Sequence, residues 1–587
     1  MKERFASTGV AQQAQFVSLR RAASLQRPAS SSPGRAVYRR EEAARSVSLR
    51  TLRRSFRATR AAASMDASIR PSRLSQNQQG KEALPAPLDA LEKFEWRKQW
   101  YAVGWERDFI PGRPTKVTLF DEDYVILTRS GAAPVCLLDK CPHRLAALSE
   151  GRMTESGHLQ CAYHGWAFDG ISGACVDVPQ AGEPPANPRA CATALPCMEA
   201  QGLVWVLPTP LTSEALLNVR GPVLVPEMSD PAFKVIPIVR EFPIDYAVLM
   251  ENLIDFDHGP FAHQNPGFDL YSGSAKYPQN VESVMCDDEF KIFMTTAAQP
   301  KSIKQEGAQA KSDQKEKVLM ATCEFHAPCH VRTCRRDADG NTSFINAFWA
   351  VPTGIGRSRL LLAGVVKGPI VPPRWVMHIF LNNFLDQDTF LLATEQAYVL
   401  NAELDAERAS TPLRRTSLYC YQSPGEKLLI AVGKYLDVVV PKMPNRYAQL
   451  TGTCFTCPPR EVVLDRWQQH TALCPDSLRF VRICAAVRAT AAVVSVVTLG
   501  GILTQVALGV GARVGTTEPM ATVVCTIAGV TVETICRSPL SCIMLAVIGL
   551  LAWITHRLIN EFKFKYTEEY SNRDLNRIAA VYPDAVN

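Results

Sequence analysis

The strings CPHR at 141–144 and CAYHGW at 161–166 decide how this chain of 587 residues is interpreted. Each string supplies one cysteine and one histidine: Cys141, His143, Cys161 and His164. Pro142 and Gly165 are turn-forming residues, which predicts that each pair lies at the tip of a hairpin loop. Seventeen residues, 144–160, separate the two Cys/His pairs, enough for the hairpin that would bring the loops together.

Two thiolates and two imidazoles suit a Rieske [2Fe–2S] cluster, in which two cysteines hold one iron and two histidines hold the other. A zinc site is the alternative for the same donors. Zinc modules usually pair Cys with Cys and His with His, whereas each loop here carries one of each. HGW at 164–166 and FDG at 168–170 are also typical of Rieske proteins. The four residues are therefore predicted to be cluster ligands.

Charge and cysteine content narrow the class of protein. Residues 1–80 carry sixteen Lys and Arg against four Asp and Glu, a local charge of +12 in a chain of net charge +7, so the remainder carries −5. Nothing in that remainder indicates nucleic-acid binding. The eighteen cysteines are scattered, mostly in apolar surroundings, which predicts reduced thiols and a reducing compartment.

The N-terminal part divides into three predicted regions. Residues 1–75 are rich in Arg, Ser and Ala and nearly free of acids, as in an organellar transit peptide; a basic disordered arm is the alternative. Residues 76–93 form a polar linker. Short strand-like runs with turn signals then predict a small β-sandwich at 94–210, the Rieske [2Fe–2S] domain that carries both loops.

A second candidate site lies in ENLIDFDHGPFAH at 251–263. On a helix, Asn252, Asp255 and His258 would be one turn apart and would share a face. A Gly-Pro pair ends that helix, and His263 follows. Two histidines and a distant carboxylate make the facial set of non-haem Fe(II) oxygenases, which leaves positions open for O2 and substrate. The pattern predicts mononuclear iron held by both histidines.

The third iron ligand is predicted in the helical segment 381–396, which holds Asp386 and Asp388. The Gln-Asp sequence before an apolar stretch resembles the Glu-Asp that supplies this ligand in related oxygenases and favours Asp388. Asp386 is then expected at a helix start or facing solvent. His326 and His330 could form a further metal site, but the simpler interpretation makes them structural.

The order of these segments predicts an α+β fold. Strand-like runs at 289–295, 318–325, 344–351 and 360–366 indicate a curved antiparallel sheet wrapped around a helix. This helix-grip-type catalytic domain, with the mononuclear iron, is placed at 211–480, after the Rieske β-sandwich.

Two apolar runs near the C-terminus predict transmembrane helices at 489–510 and 538–555. At ~1.5 Å per residue the first is long enough for a bilayer core of ~30 Å; a buried core helix is the alternative for the second. Lys and Arg flank the outer ends of both runs. Because such residues favour one side of a membrane, the catalytic domain and the tail at 556–587 are expected to face the same compartment.

Taken together, these motifs resemble the plastid Rieske monooxygenases of the pheophorbide a oxygenase group. The group includes the translocon-associated inner-envelope Rieske protein and the protochlorophyllide-directed oxygenase. The resemblance rests on CPHR, YHGWAFDG at 163–170, VPQ at 178–180, ENLID with its two histidines, LDQD at 385–388 and the two terminal apolar runs.

The resemblance implies a ferredoxin-dependent monooxygenase that uses O2 on a chlorophyll-type tetrapyrrole. It implies a homotrimer in which Asp255 relays electrons from a cluster histidine of a neighbouring subunit to an iron-ligating histidine, with Asn252 near the iron. It also implies a plastid membrane, inner envelope or thylakoid, with the catalytic domain facing the stroma. The alternatives are a redox-sensing component of the inner-envelope translocon and an oxygenase of another tetrapyrrole, protochlorophyllide or a phyllobilin.

One departure from the group concerns its Cys-x-x-Cys before the first membrane helix. At the matching place only Cys474 is present, and Cys454 and Cys457 form a different pair earlier in the chain. The sequence therefore does not support thioredoxin-type regulation through that motif.

Overall fold

The computed structural model describes residues 91–263, 280–286, 291–298, 319–336, 342–368, 371–448, 454–511, 523–527, 530–534 and 539–563. The predicted transit peptide at 1–75, most of the linker at 76–93 and most of the tail at 556–587 lie outside these residues.

Short antiparallel strands build the region that carries the two Cys/His loops. They are β1 Tyr101–Trp105, β2 Thr115–Leu119, β3 Glu122–Arg129, β4 Ala132–Leu138, β5 Arg152–Met153, β6 Leu159–Gln160, β7 Ala167–Phe168, β8 Cys175–Asp177, β9 Ala194–Leu195, β10 Cys197–Ala200 and β11 Leu203–Val206. Their sheets have the orders β1-β11-β10, β2-β3-β4-β9 and β5-β6-β7-β8. The first loop joins β4 to β5 and the second joins β6 to β7, so both project from neighbouring strand ends.

A large antiparallel sheet of order β12-β18-β17-β16-β15-β14-β13 follows. Its strands are β12 Phe233–Phe242, β13 Asn280–Cys286, β14 Lys291–Ala298, β15 Leu319–His326, β16 His330–Arg336, β17 Thr342–Gly354 and β18 Arg357–Lys367. The predicted antiparallel catalytic sheet is thereby confirmed. Pro237 cannot donate a ladder hydrogen bond, and it lies in β12, the strand at one edge.

Helices cover this sheet and hold the second candidate site. The helices of this part of the chain are α1 Ser213–Leu216, α2 Tyr246–Ile254, α3 Gly259–Ala262, α4 Arg374–Arg408, α5 Arg415–Leu418, α6 Lys427–Val439 and α7 Arg460–Val463. Of these, α2, α4 and α6 contact the sheet. The side chain of Asp245 caps α2 by accepting from the Ala247 amide at 3.0 Å. The same carboxylate accepts from Arg446 Nη2 at 3.0 Å, which ties the start of α2 to the chain after α6.

One hydrophobic core spans the small sheet of β1, β10 and β11 and the large sheet. Trp349 of β17 lies at its centre, edge-on to Trp105 and Trp205 with ring centroids 6.1 and 6.2 Å apart. A second, smaller core lies beneath the Cys/His loops and includes both of their cysteines, packed against Leu148 and Phe168. The two loops are therefore anchored by a core of their own.

Two apolar helices, α8 Pro475–Gly511 and α9 Pro539–Glu561, pack against each other near the C-terminus. Each contains a stretch long and apolar enough to cross a membrane, Pro475–Gly501 and Ile543–Glu561. The predicted pair of apolar helices is confirmed, and α8 begins before the charge-free run at 489–510, at Pro475. The apolar segment between them contains the antiparallel strands β19 Val523–Ile527 and β20 Val530–Thr534.

Candidate metal centres

The two Cys/His loops share one backbone conformation. In the first, the Leu145 amide donates to the Cys141 carbonyl at 2.9 Å; in the second, the Gly165 amide donates to the Cys161 carbonyl at 3.1 Å. Leu145 and Gly165, each four residues after the cysteine, both have positive φ, +64° and +79°. Glycine adopts this left-handed conformation without strain, whereas a leucine there requires support from its surroundings. The repeated turn directs both cysteines into the local core.

The cysteines of these loops are buried and the histidines reach the surface. Cys141 and Cys161 are 2% and 1% exposed, whereas His143 is exposed. The imidazoles of His143 and His164 lie side by side with ring centroids 4.6 Å apart, and His143 also stacks on Trp166. Burial raises the pKa of the Cys141 thiol to about 11, so a bound cation is needed to hold it as a thiolate.

This donor set fits a cluster with two unequal ends. The thiol end lies in the protein interior, and the imidazole end lies at the surface. A Rieske [2Fe–2S] cluster has that polarity, with cysteines on one iron and histidines on the other. The structure thus brings all four predicted ligands, Cys141, His143, Cys161 and His164, to one tip.

The second predicted set also converges. His258 immediately precedes α3, His263 follows it, and Asp388 lies within α4. One ligand atom from each of the three lies within 4.8 Å of the others. The Asp388 Oδ2 atom is 3.8 Å from His258 Nε2 and 3.6 Å from His263 Nε2. Two imidazoles and a carboxylate are the donors that a non-haem ferrous ion takes, with other positions left for reactants.

His263 is held in one orientation and one tautomer. Its Nδ1 lies 3.2 Å from the amide oxygen of Gln387, which can only accept, so Nδ1 carries the proton and Nε2 faces Asp388. The ring stacks on Phe384 with centroids 3.6 Å apart. Burial, followed by the charge of His258, lowers the pKa of His263 to about 3. A neutral imidazole with a directed lone pair is the form that binds a metal.

His258 instead contacts a carboxylate. Its Nδ1 lies 3.4 Å from Asp255 Oδ2. Burial alone would lower the pKa of His258, but the hydrogen bond to Asp255 and the charges of Asp255 and Asp388 outweigh it and raise the pKa. The Asp255 side chain keeps 28% of its surface exposed, so one side of it reaches the histidine and the other remains accessible.

Asn252 lies one turn before Asp255 and contacts the candidate iron ligand. Its Nδ2 donates to Asp388 Oδ2 at 3.0 Å. The side chain therefore orients the carboxylate rather than offering a strong donor of its own. Such supporting contacts commonly change metal affinity or activity by about 10- to 100-fold.

We expect Asn252→Ala to weaken iron retention, because the Asp388 carboxylate loses the donor that orients it. About 10-fold faster iron loss to a chelator, with lower turnover, is the expected result. Asn401→Ala is the control, since Asn401 is an amide of α4 that bonds to the backbone of Phe455 instead. Equal iron loss from the Asn252 variant and the wild type would contradict the positioning role.

Asp386 has a role that the sequence did not predict. The residue is 1% exposed and lies in the middle of α4, so its expected place at a helix start or in solvent is wrong. Its carboxylate accepts from Arg240 at 2.5 Å and from Arg466 at 2.6 Å, and all three side chains are buried. Because both arginines occupy it, Asp386 is a structural residue, and Asp388 is the carboxylate that faces the histidines.

His326 and His330, the two histidines predicted to be structural, have partners within the sheet. His326 Nε2 lies 3.0 Å from Glu324 Oε2, and His330 Nδ1 donates to the Phe348 carbonyl at 3.0 Å.

The sequence did not predict a role for Gln387 and Phe384, which orient His263. Their positions, one and four residues before Asp388, are the signal that could have found them, since they share its helix.

A cavity of about 520 Å³ lies against Asp388 and His258. Its apolar wall includes Val248, Leu391, Leu392, Leu418 and Leu429, and its polar groups include Glu251, Glu395 and Tyr419. Burial, partly offset by Arg415, raises the pKa of Glu251 to about 7. Glu251 also pairs with Arg415 at 2.8 Å. The site thus combines a metal-ligand set with a chamber of small-molecule size whose wall has an apolar side and an acidic side.

Comparisons with known proteins identify two matching families. The sequence profile of the Rieske [2Fe-2S] domain matches residues 99–199, and that of pheophorbide a oxygenase matches residues 325–404. A pheophorbide a oxygenase of Oryza sativa subsp. japonica is 31% identical, over 67% of this chain and 74% of its own length. Flavonoid 8-hydroxylase 2 of Ocimum basilicum is 29% identical, over 70% of this chain and 82% of its own length. Protein TIC 55 of Pisum sativum is 26% identical, over 66% of this chain and 67% of its own length. All three are named as chloroplastic proteins.

Proposed function

The chain belongs to the pheophorbide a oxygenase family of Rieske oxygenases, and from that premise we propose that it is a ferredoxin-dependent monooxygenase of a chlorophyll-type tetrapyrrole. The family resemblance, the oxygenase class and the cofactors of that family predicted from the sequence are confirmed: a [2Fe–2S] cluster and a mononuclear non-haem iron. The substrate, the electron donor, the ligand assignments and the assembly are the proposal.

The observation that carries the proposal is the convergence of His258, His263 and Asp388 beside the cavity. These residues would hold the mononuclear iron, while Cys141 and Cys161 with their two histidines would hold the cluster. A reduced iron at such a site supplies O2 activation when it is bound. A pure electron carrier needs neither the facial set nor the adjoining chamber.

Within this proposal the chain's own residues direct and confine the reaction. Gln387 and Phe384 hold the His263 ring, and Asn252 orients the Asp388 carboxylate. The leucine and valine side chains of the wall offer the substrate an apolar surface, and Glu251, paired with Arg415 at 2.8 Å, lies on the polar side of the cavity. Tyr419 donates to Glu251 at 3.2 Å and holds that acid in place.

A chlorophyll-type tetrapyrrole is supported by the chamber and by the relatives. A large, flat and apolar substrate matches the leucine-rich wall. The Oryza sativa relative is named for pheophorbide a. The basil relative is named for a flavonoid, which makes a flavonoid the comparison substrate in the test.

Membrane anchoring is proposed from α8 and α9. Most of their described apolar side chains face outward, among them Val493, Val496 and Leu550. Such surfaces need lipid or protein cover. A bilayer would cover both helices and would also deliver an apolar substrate. We place the protein in a plastid membrane, inner envelope or thylakoid, with the catalytic region facing the stroma.

The electron route follows from the exposed histidine end of the cluster. His143 is exposed beside exposed Arg144 and Tyr163, so this tip can approach another protein. We propose that reduced ferredoxin donates an electron to the cluster, and that in a homotrimer Asp255 of a neighbouring subunit relays it to that subunit's iron-ligating His258. The accessible side of Asp255 supports that contact.

The test is turnover of the full chain in detergent with ferredoxin, its reductase and a substrate panel. The panel holds pheophorbide a, protochlorophyllide, a phyllobilin and a flavone, with products identified by mass. The proposal expects O2 consumption and a product one oxygen heavier from a tetrapyrrole. Flavone oxidation alone would overturn the substrate class, and no oxygenation of any substrate would favour a redox-sensing translocon component.

A further inference from the structure

A second buried cluster of metal-binding side chains lies outside the oxygenase site. His378 lies near the start of α4, His470 lies in a short π-helical turn at Trp467–Thr471, and Cys474 and Ser477 flank the start of α8. All four side chains are 0% exposed. The cluster therefore joins α4 to the start of α8.

Backbone carbonyls determine the tautomers of both histidines. His378 Nε2 lies 3.1 Å from the Pro237 carbonyl, and His470 Nδ1 lies 2.6 Å from the Val239 carbonyl. A carbonyl oxygen only accepts, so each of these nitrogens carries a proton. The remaining nitrogens, Nδ1 of His378 and Nε2 of His470, present lone pairs to the centre. A histidine that donates its outer N–H to a backbone carbonyl is the usual arrangement of a metal ligand.

The two ring nitrogens that face the centre of the cluster are too close together for two neutral acceptors with nothing between them. His378 Nδ1 and His470 Nε2 are 3.1 Å apart, and both are acceptors. The hydroxyl of Ser477 and the thiol of Cys474 can each donate one proton to a ring nitrogen, but neither separates the two lone pairs.

The distances match a tetrahedral metal site. With Zn–N of about 2.05 Å and Zn–S of about 2.3 Å, tetrahedral geometry separates two nitrogens by about 3.3 Å and nitrogen from sulfur by about 3.6 Å. The observed nitrogen pair is 3.1 Å apart, and Cys474 Sγ is 3.7 Å from His378 Nδ1. Ser477 Oγ is 2.7 Å from His378 Nδ1 and 3.0 Å from His470 Nε2, beside the fourth position.

We propose that His378, His470 and Cys474 bind a structural zinc ion, with the Ser477 hydroxyl at the fourth position. Two imidazoles and one thiolate favour zinc over magnesium or calcium, which prefer oxygen donors. Binding displaces the thiol proton of Cys474 to solvent. The nearby Arg374 does not oppose the cation strongly, because it pairs with Asp108 at 2.6 Å and with Asp476 at 3.2 Å.

The zinc ion would hold α8 in register with the oxygenase core. Gln469, next to His470, accepts from Arg240 at 2.9 Å, and Arg240 in turn pairs with Asp386, two residues before Asp388. Metal at this cluster therefore stabilises the junction between the apolar helix and α4. The site is independent of the oxygenase chemistry and of its substrate.

The test is metal analysis of the full chain, purified in detergent from cells supplied with both iron and zinc. The proposal expects about one zinc ion per chain beside the iron, and loss of that equivalent in Cys474→Ala with the Rieske EPR signal unchanged. Cys484→Ala is the matched control, because Cys484 is a buried cysteine of α8 outside the cluster and should keep the zinc. Wild-type protein without zinc, iron in place of zinc at this cluster, or full zinc in Cys474→Ala would overturn the proposal.

A second variant adds a donor instead of removing one. Ser477→Cys completes a His2Cys2 set and should retain zinc at least about 10-fold longer against a chelator. A disulfide between positions 474 and 477 with no zinc in this variant would also overturn the proposal. Because this variant leaves all three proposed ligands in place, its result does not depend on whether Cys474→Ala folds.

Discussion

Asp388→Ala is expected to abolish oxygenation while leaving the Rieske cluster intact. The carboxylate is the common neighbour of His258 and His263, at 3.8 and 3.6 Å, and removing it leaves two imidazoles without a charged donor. Iron content should fall from about three atoms per chain to about two, and turnover should fall at least about 1,000-fold. Iron analysis, EPR of the reduced cluster and product formation measure the three effects on one sample.

Asp386→Asn is the contrasting variant, two residues earlier on the same helix. It leaves Arg240 and Arg466 buried without their carboxylate, which costs about 3–5 kcal/mol of stability. The mononuclear iron should remain in the folded fraction, and the denaturation midpoint should fall. Loss of iron from the Asp386 variant with retention in the Asp388 variant would reverse the assignment. Loss of the Rieske signal in Asp388→Ala would show that the two centres are not separate.

Asp255→Asn is expected to slow turnover about 100-fold with both iron centres present. The amide keeps the size of the side chain but removes the negative charge that accepts from His258 Nδ1 at 3.4 Å. We propose that this contact carries electrons from the cluster of a neighbouring subunit, so ferredoxin should still reduce the cluster. Stopped-flow reoxidation of the reduced cluster, in the presence of substrate and O2, measures the blocked step.

Asp257→Asn provides the matched control for Asp255. Its carboxylate accepts from Ser423 Oγ, whereas that of Asp255 lies against the His258 ring, so turnover should stay near that of the wild type. Loss of iron in Asp255→Asn would contradict an electron-transfer role and assign the residue to iron binding instead. Normal reoxidation of the cluster would contradict the proposed route.

The fold could be predicted wherever local pattern and burial agree. The strand expected at 344–351 is β17, Thr342–Gly354, and the strand expected at 360–366 is β18, Arg357–Lys367. β12 was missed because Pro237 interrupts its pattern, and an edge strand tolerates proline without changing the pairing. The charge-free run 489–510 predicted only part of α8, since the helix begins at Pro475 and its first turns carry arginines.

The Cys/His site could be predicted from residue spacing, whereas the choice of the carboxylate at the second site depends on tertiary contacts. The Cys/His loops are local, and their four donors could be read directly from the strings that contain them. Asp386 and Asp388 could not be separated by periodicity, because only the packing of Arg240 and Arg466 decides which carboxylate is occupied. His378 and His470 could not be grouped from the sequence, because ninety-one residues lie between them and only the fold brings them to Cys474.

Single-turnover oxygenation with 18O2 tests the central claim most directly. Fully reduced protein, with one equivalent of the tetrapyrrole identified from the panel, is exposed to labelled oxygen while the Rieske EPR signal is followed. The account predicts a product that carries one 18O atom and oxidation of the cluster in step with product formation. A cluster that stays reduced in the presence of substrate and O2, with no labelled product, would contradict it.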